Sequence, residues 1–118
     1  MLSGRQGAAV YLACGSTDMR KSIDALAALV THQFQLDVFG DALFVFCNRQ
    51  RDKLKILYWD HNGFWLYYRR LERGRFRWPD AGSEQALSIN RRQLQWLLDG
   101  LTLQQSQAHA PATARLAS

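Results

Sequence analysis

The 118-residue sequence lacks the features that mark several large classes of protein. No apolar run approaches the roughly 18 residues that a bilayer-spanning helix needs. The N-terminus also lacks the charged, long-apolar and small-residue pattern of a signal peptide. We therefore expect a cytoplasmic protein that makes no contact with a membrane.

Cysteine and histidine are scarce, with two cysteines and three histidines in the chain. Cys14 and Cys47 lie in apolar, strand-like surroundings, which favours buried free thiols over a disulfide in a reducing compartment. His32, His61 and His109 have no metal-ligand spacing to each other or to either cysteine. We predict no metal site and no cofactor.

Familiar catalytic motifs are missing: the sequence has no GxxxxGK phosphate loop, no GxSxG elbow and no paired CxxC. None of the ten acids stands two residues before a lysine, the spacing expected on the strand of a small metal-dependent nuclease. Asp52, Asp60 and Glu72 could still converge as a nuclease site. Each lies in a predicted turn beside arginines, however, where solvated residues and local ion pairs are more frequent. We predict no catalytic residues and keep a small nuclease as the third hypothesis.

The chain length suits one domain with a single core, and four Trp, four Tyr and six Phe supply bulky core material. We predict a single domain over residues 9–101 and a flexible N-terminus over residues 1–8. Residues 102–118 are predicted to be a disordered tail, because their apolar content is too low to pack.

The first half of the chain predicts a strand at residues 10–13 and then a helix. Thr17 or Asp18 can cap this helix. Five apolar residues at steps of four and three form one face of it: Met19, Ile23, Leu26, Val30 and Phe34. Arg20 and Lys21 would then lie in the first turn, where cations oppose the helix dipole.

Two interpretations of these cations are open. An anion such as a DNA phosphate could bind Arg20 and Lys21 with help from free N–H groups at the helix start. Alternatively, Arg20 pairs with Asp24 one turn later, which is at least as common.

The middle of the chain predicts strands. Residues 42–46 form a continuous β-prone run, typical of a strand buried on both faces. Residues 53–59 alternate and lead through a hairpin turn at 60–63 into a partner strand at 64–71, since Asn-Gly tolerates positive φ angles. In residues 75–78 arginine alternates with an aromatic side chain, which predicts a third strand of an antiparallel meander.

Residues 80–86 are predicted to be a polar linker. A short helix follows, because Asn90 and Gln93 resemble a capping box and an apolar stripe comes after them: Leu94, Leu97, Leu98 and Leu101. The predicted fold class is α+β. It is a small antiparallel sheet with a central meander of three to five strands, packed with one helix from the N-terminal half and one short C-terminal helix.

Positive charge is concentrated between residues 49 and 77, where nine Lys/Arg against three acids give a net +6, compared with +5 for the whole chain. A localised basic sheet favours a polyanionic ligand, and nucleic acid is the first candidate. The predicted DNA-binding residues are Arg20, Lys21, Arg49, Arg51, Lys53, Lys55, Arg69, Arg70, Arg73, Arg75 and Arg77.

The aromatic residues of the same segment also have two interpretations. Trp59, Trp65, Tyr67, Tyr68 and Trp78 could stack the bases of a single strand beside the basic groove. A sheet domain of this size must also fill its core, and aromatic residues on strands more often do that. We therefore expect most of these five side chains in the core.

Four motifs follow one another along the chain: GSTDMRK at 15–21, LFVF at 43–46, DKLKILYWDHNGFWLYYRRLERGRFRWP at 52–79 and LSINRRQLQWLLDG at 87–100. In this order they resemble the TnpB accessory proteins of the insertion-sequence group numbered sixty-six, the product of that element's second open reading frame. The resemblance covers residues 9–101. It implies a bacterial transposition component that acts beside a separate, larger transposase carrying the catalytic carboxylates.

The leading hypothesis is a non-catalytic accessory protein required for transposition, which binds DNA at the transposon ends through the basic meander. The alternative is a protein-interaction module that docks the transposase or another accessory protein, or self-associates as a homo-oligomer, without direct DNA contact. The aromatic sheet face or the helix at 94–101 would supply its surface. Both can hold together.

Overall fold

The computed structural model describes residues 9–100, so the predicted N-terminus at 1–8 and tail at 102–118 lie outside the described residues. Its elements are β1 (Ala9–Ala13), α1 (Ile23–Ala28) with a π-helical continuation (Leu29–Gln33), β2 (Ala42–Cys47), β3 (Lys53–Asp60), β4 (Gly63–Arg70), β5 (Ala86–Ile89) and α2 (Arg91–Leu98). No helix within 9–100 is long and apolar enough to cross a bilayer.

The five strands form one sheet in the order β4-β3-β2-β1-β5. β1 and β2 are parallel, and all other neighbours are antiparallel. Parallel neighbours require a long crossover, and here the chain makes it through α1. The predicted α+β class is confirmed, with a mostly antiparallel sheet, one helix in the N-terminal half and one short helix near the C-terminal end.

Both faces of the sheet are covered. On the α2 face, side chains of β1, β2 and β3 pack with Phe76 and with α2 through Leu94 and Leu97. On the opposite α1 face, Phe44, Phe46 and Leu57 pack among residues that include Leu26 and Val30. Every residue of β2 is buried, which explains its continuous apolar run, because a central strand covered on both faces has no solvent side.

The predicted third meander strand at 75–78 is wrong. These residues form no strand, and the consecutive antiparallel strands of the fold are β2, β3 and β4. The segment instead crosses the α2 face, where Phe76 is 3% exposed and its N–H donates to the Arg51 carbonyl at 2.7 Å. Trp78 donates its indole N–H to the Ala13 carbonyl at 2.9 Å. Burial of the two aromatic side chains outweighs pairing with the edge of β4.

The helix begins later than predicted. Its N-cap residue is Ser22, not Thr17 or Asp18, and Ser22 makes no side-chain capping bond. Asp18 instead accepts the backbone N–H of Arg20 at 2.9 Å. The Lys55 ammonium donates hydrogen bonds to the carbonyls of Met19 and Lys21, at 2.7 and 2.8 Å. A turn therefore stands where the first helical residues were predicted.

The five residues of the predicted apolar stripe do pack together, although Met19 lies in the turn before the helix and Phe34 caps its C-terminal end. Leu26 and Val30 are buried, and the other three residues of the stripe pack against the same cluster: Met19, Ile23 and Phe34. The capping box of Asn90 and Gln93 is also present at the start of α2.

Two strand details differ from expectation. Ala86, the last residue of the predicted linker, begins β5, which pairs with β1 from Ala13↔Ala86 to Val10↔Ile89. Four residues with a polar serine among them are too short to give a clear strand pattern.

The β3–β4 hairpin turn is confirmed, but the residue with positive φ is His61, at 57°, and not Asn62 or Gly63.

Asn48 fixes the turn between β2 and β3, and it is 6% exposed. Its side-chain oxygen accepts from the N–H groups of Asp52 and Lys53 at 3.1 and 3.0 Å. Its amide donates to the Asp52 carboxylate at 2.7 Å. This bond is the main reason why the pKa of Asp52 lies below its usual range.

We predict that Asn48→Ala lowers the free energy of unfolding by about 2 kcal/mol, because it leaves the partly buried N–H groups of Asp52 and Lys53 without their acceptor. Urea denaturation measures the effect. The matched control is Asn62→Ala in the exposed turn, which should stay within about 0.5 kcal/mol of the wild type.

The same variant has a pH signature. A depressed carboxylate pKa stabilises the native state above the unfolded value, and this contribution is lost as pH falls through the folded pKa. In Asn48→Ala the Asp52 pKa should therefore rise toward normal and the acid-side loss of stability should become shallower. Carbon NMR titration of Asp52 tests this, and an unchanged Asp52 pKa would contradict it.

Candidate nucleic-acid interface

Four of the predicted DNA-binding arginines line one concavity. Its volume is about 450 Å³, and its walls are Arg69 from the end of β4, the loop that follows and the C-terminal end of α2. We call it the arginine groove and define it by Arg69, Arg73, Arg75 and Arg77. The rest of its lining is Leu71, Gly74, Leu98, Asp99 and Gly100.

The loop that carries three of these arginines is held at defined points. Gly74 has φ 78°, which reverses the chain at a conformation that favours glycine. Phe76 is buried beneath the loop, so Arg75 and Arg77 on either side of it project outward. A hydrogen bond from the Leu71 N–H to the Asp52 carbonyl, at 2.7 Å, ties the start of the loop to the β2–β3 turn.

The four guanidinium groups of the groove are exposed, and within residues 9–100 none of them hydrogen-bonds or pairs with a carboxylate. The neighbouring Arg70 differs, because it bonds Glu72 at 2.9 Å. Asp99 at the far wall accepts from Gln95. Cations outnumber acids in the groove, so its chemistry suits an anionic ligand.

A second group of cations surrounds the β2–β3 turn. Arg49 and Lys53 line a concavity of about 320 Å³ together with Asp18 and Met19. Lys53 lies opposite Arg70 across the β3–β4 ladder, so this group and the arginine groove occupy the same end of the sheet. Lys21 lies on the adjoining surface, in the lining of a separate concavity.

Arg20 is engaged in an ion pair, with Asp18 rather than the expected Asp24. Its guanidinium meets the Asp18 carboxylate at 2.7 Å. Side-chain hydrogen bonding from Arg20 holds the pKa of Asp18 well below its usual range. The ion-pair interpretation of Arg20 was therefore right in kind and wrong in partner, and the residue precedes the helix instead of occupying its first turn.

Two of the predicted DNA-binding cations have structural bonds that the sequence did not reveal. Arg51 donates to the Gly15 carbonyl at 2.6 Å and pairs with Asp80 at 3.5 Å. Lys55 donates to the two carbonyls before α1, and its ammonium lies 5.9 Å from the Tyr68 ring centroid. The assignment of all eleven cations to DNA contact stays a prediction.

The five aromatic residues divide between core and surface. Trp78 and Tyr67 pack against the α2-face core, as expected for most of the set. Trp59 is half-buried and meets Phe39 and Phe64 in an aromatic cluster. Trp65 and Tyr68, however, are 42% and 54% exposed.

Comparison with known proteins identifies the family. The family model described as IS66 Orf2 like protein matches residues 8–108. This chain belongs to the IS66 Orf2-like family. The resemblance found in the sequence motifs is thereby confirmed, and the chain is an insertion-sequence protein of the accessory type.

Two relatives of this IS66 Orf2-like chain come from Sinorhizobium fredii. The uncharacterized protein y4hO is 40% identical over 101 residues, which are 86% of this chain and 87% of the relative. The uncharacterized protein y4jC is 30% identical over 101 residues, 86% of each chain. No solved structure matches the chain.

The acids of the nuclease hypothesis do not meet in this IS66 Orf2-like fold. Asp52 immediately precedes β3 and Asp60 is its last residue, and eight residues of strand span about 26 Å. Glu72 is bonded to Arg70. Within the described part of the chain no three His, Cys, Asp or Glu residues form a group that could hold a metal ion.

The environment of both cysteines favours the neutral thiol. Both thiols are free, with Cys47 buried and Cys14 partly exposed. Burial raises the pKa of Cys47 to about 11 and also raises that of Cys14, so both stay protonated at neutral pH.

Proposed function

We propose that this IS66 Orf2-like chain is a non-catalytic accessory protein that binds DNA at the ends of its insertion sequence. The observation that carries the proposal is the arginine groove, in which four exposed guanidinium groups line one concavity and make no hydrogen bond or salt bridge among residues 9–100. Such a protein would act in the cytoplasm, where the element's DNA lies.

The chemistry of the groove suits phosphate. A planar guanidinium can donate two parallel hydrogen bonds to one phosphate, and it stays charged at every physiological pH. Contacts of this kind fix the position of DNA and supply affinity, but they carry little sequence information. The chain would therefore hold or bridge DNA, while the separate transposase would choose the site and supply the catalytic carboxylates.

A second candidate function is docking of that transposase, and a different surface favours it. Phe39 is 59% exposed and contacts Trp59 and Phe64, with ring centroids 4.9 and 5.7 Å away. Exposed, clustered aromatic side chains are typical anchors of protein interfaces. Trp59 and Phe64 lie opposite each other near the hairpin end of the ladder, away from the arginine groove, so both functions are compatible.

DNA binding is tested by its salt dependence. Four phosphate contacts predict a slope of log affinity against log salt of about −3.6, or a loss of about 150-fold between 50 and 200 mM salt. Arg75→Ala should make the slope shallower by about 0.9. The readout is anisotropy of a labelled duplex from the element's end.

The matched control for this experiment is Arg92→Ala. Arg92 is equally cationic and exposed, but it lies in the first turn of α2, whereas the groove meets the other end of that helix. A salt-independent affinity would remove the electrostatic model. Equal effects of Arg75→Ala and Arg92→Ala would show that the groove is not the DNA-binding site.

Docking is tested by retention of the transposase on immobilised chain after nuclease treatment and in high salt, conditions that eliminate DNA bridging. We expect Phe39→Ala to lower retention several-fold and Arg75→Ala to leave it unchanged. Retention that disappears with nuclease would contradict direct docking.

A further inference from the structure

The outer strand of the sheet presents a row of aromatic residues that leads into the arginine groove. β4 is an edge strand, and its residues Trp65, Tyr67 and Arg69 lie opposite Tyr58, Ile56 and Leu54 of β3. Opposite residues in an antiparallel ladder share a face, and those three β3 residues belong to the α2-face core. Trp65, Tyr67 and Arg69 therefore point to the same side of the sheet.

The orientation of the Trp65 ring is fixed before any ligand arrives. Its ring stacks on Tyr67, with centroids 6.2 Å apart and planes inclined by 16°. Its indole N–H donates to the Asp60 carboxylate at 3.4 Å. A ring held in this way loses little conformational entropy when another flat group stacks on it.

The row places Trp65 a short distance from the arginine groove. Alternate residues of a strand are about 6.7 Å apart, so Trp65 lies about 13 Å from Arg69 along β4. Arg69 is itself a wall of the arginine groove. One face of β4 thus carries an exposed indole, a half-buried phenol and the guanidinium group of Arg69, which lines the arginine groove with three arginines of the following loop.

We infer that this row and the arginine groove together bind single-stranded DNA, with a base stacked on Trp65 and the backbone phosphates on Arg69 and its neighbours. The inference rests on the proposed DNA binding and names the form of DNA that the site prefers. In a duplex the base faces are already stacked on one another, so only a single strand can offer a free face to the indole.

Tyr68 is exposed as well but lies outside the row. It is opposite Lys55 in the ladder, on the α1 face, where the Lys55 ammonium lies near its ring. The preference for single strands is therefore assigned to Trp65 and not to every exposed aromatic residue of β4.

The experiment compares the affinity of the full chain for a labelled oligothymidine and for a duplex of equal length. Trp65→Ala should weaken single-strand binding by about fivefold or more, the effect expected when one base loses an aromatic partner. Duplex binding should change by less than about twofold, because it depends on phosphate contacts. Trp65→Phe should recover most of the single-strand affinity, since a benzene ring also stacks.

Phe39→Ala is the matched control, because Phe39 is even more exposed and contacts Phe64, a neighbour of the α1-face core. It should change neither affinity. A Trp65→Ala variant that binds both forms as the wild type does, or loses both equally, would overturn the inference, as would a Trp65→Phe variant no better than Trp65→Ala.

The proposed function is judged separately in the same assay. Arg75→Ala should weaken the binding of both forms. If Arg75→Ala alters neither affinity, the DNA-binding groove fails whatever Trp65 does. If it weakens both while Trp65→Ala weakens neither, only the single-strand preference fails.

Discussion

The burial of Phe76 is the contact on which the candidate interface depends. The loop between β4 and β5 pairs with no strand, and Phe76 is its buried anchor in the α2-face core, with Leu71 and Trp78 packed against the same core. The bond from Phe76 N–H to the Arg51 carbonyl adds a polar tie, and Trp78 adds another at Ala13. Phe76 points into the core, and its neighbours Arg75 and Arg77 are exposed on the surface. Packing therefore determines where the charge is presented.

The β2–β3 turn, which bonds this loop through the Arg51 carbonyl, lies beside two cations that have structural hydrogen bonds, Arg51 and Lys55. Asn48 closes the β2–β3 turn, and Arg51, whose φ is 64°, bridges from it to Gly15 and Asp80. Lys55 reaches in the other direction, to the chain just before α1. Cations bonded in this way stabilise the protein, whereas the arginine groove has no such bonds within residues 9–100. Hydrogen bonding therefore distinguishes the cations that stabilise the fold from the cations that are available to a ligand.

The sequence was sufficient for the fold class, the buried central strand, the β3–β4 hairpin and the capping of α2, because each has a local signal in periodicity or turn chemistry. Prediction from the sequence failed where tertiary contacts determine the path of the chain. The alternation of Arg75 to Trp78 is the same for a strand and for a loop packed on a core. The late start of α1 depends on Lys55, a residue far away in sequence. β5 is recognisable only by its pairing with β1, and the convergence of four arginines follows from the anchoring of Phe76.

The most direct test of the arginine groove is observation of the individual guanidinium groups by NMR while DNA from the element's end is added. We predict that the Nε–Hε signals of Arg69, Arg73, Arg75 and Arg77 shift together, whereas those of Arg20, held by Asp18, and of Arg92 stay in place. Shifts confined to the cations around the β2–β3 turn, with the groove signals unmoved, would contradict it.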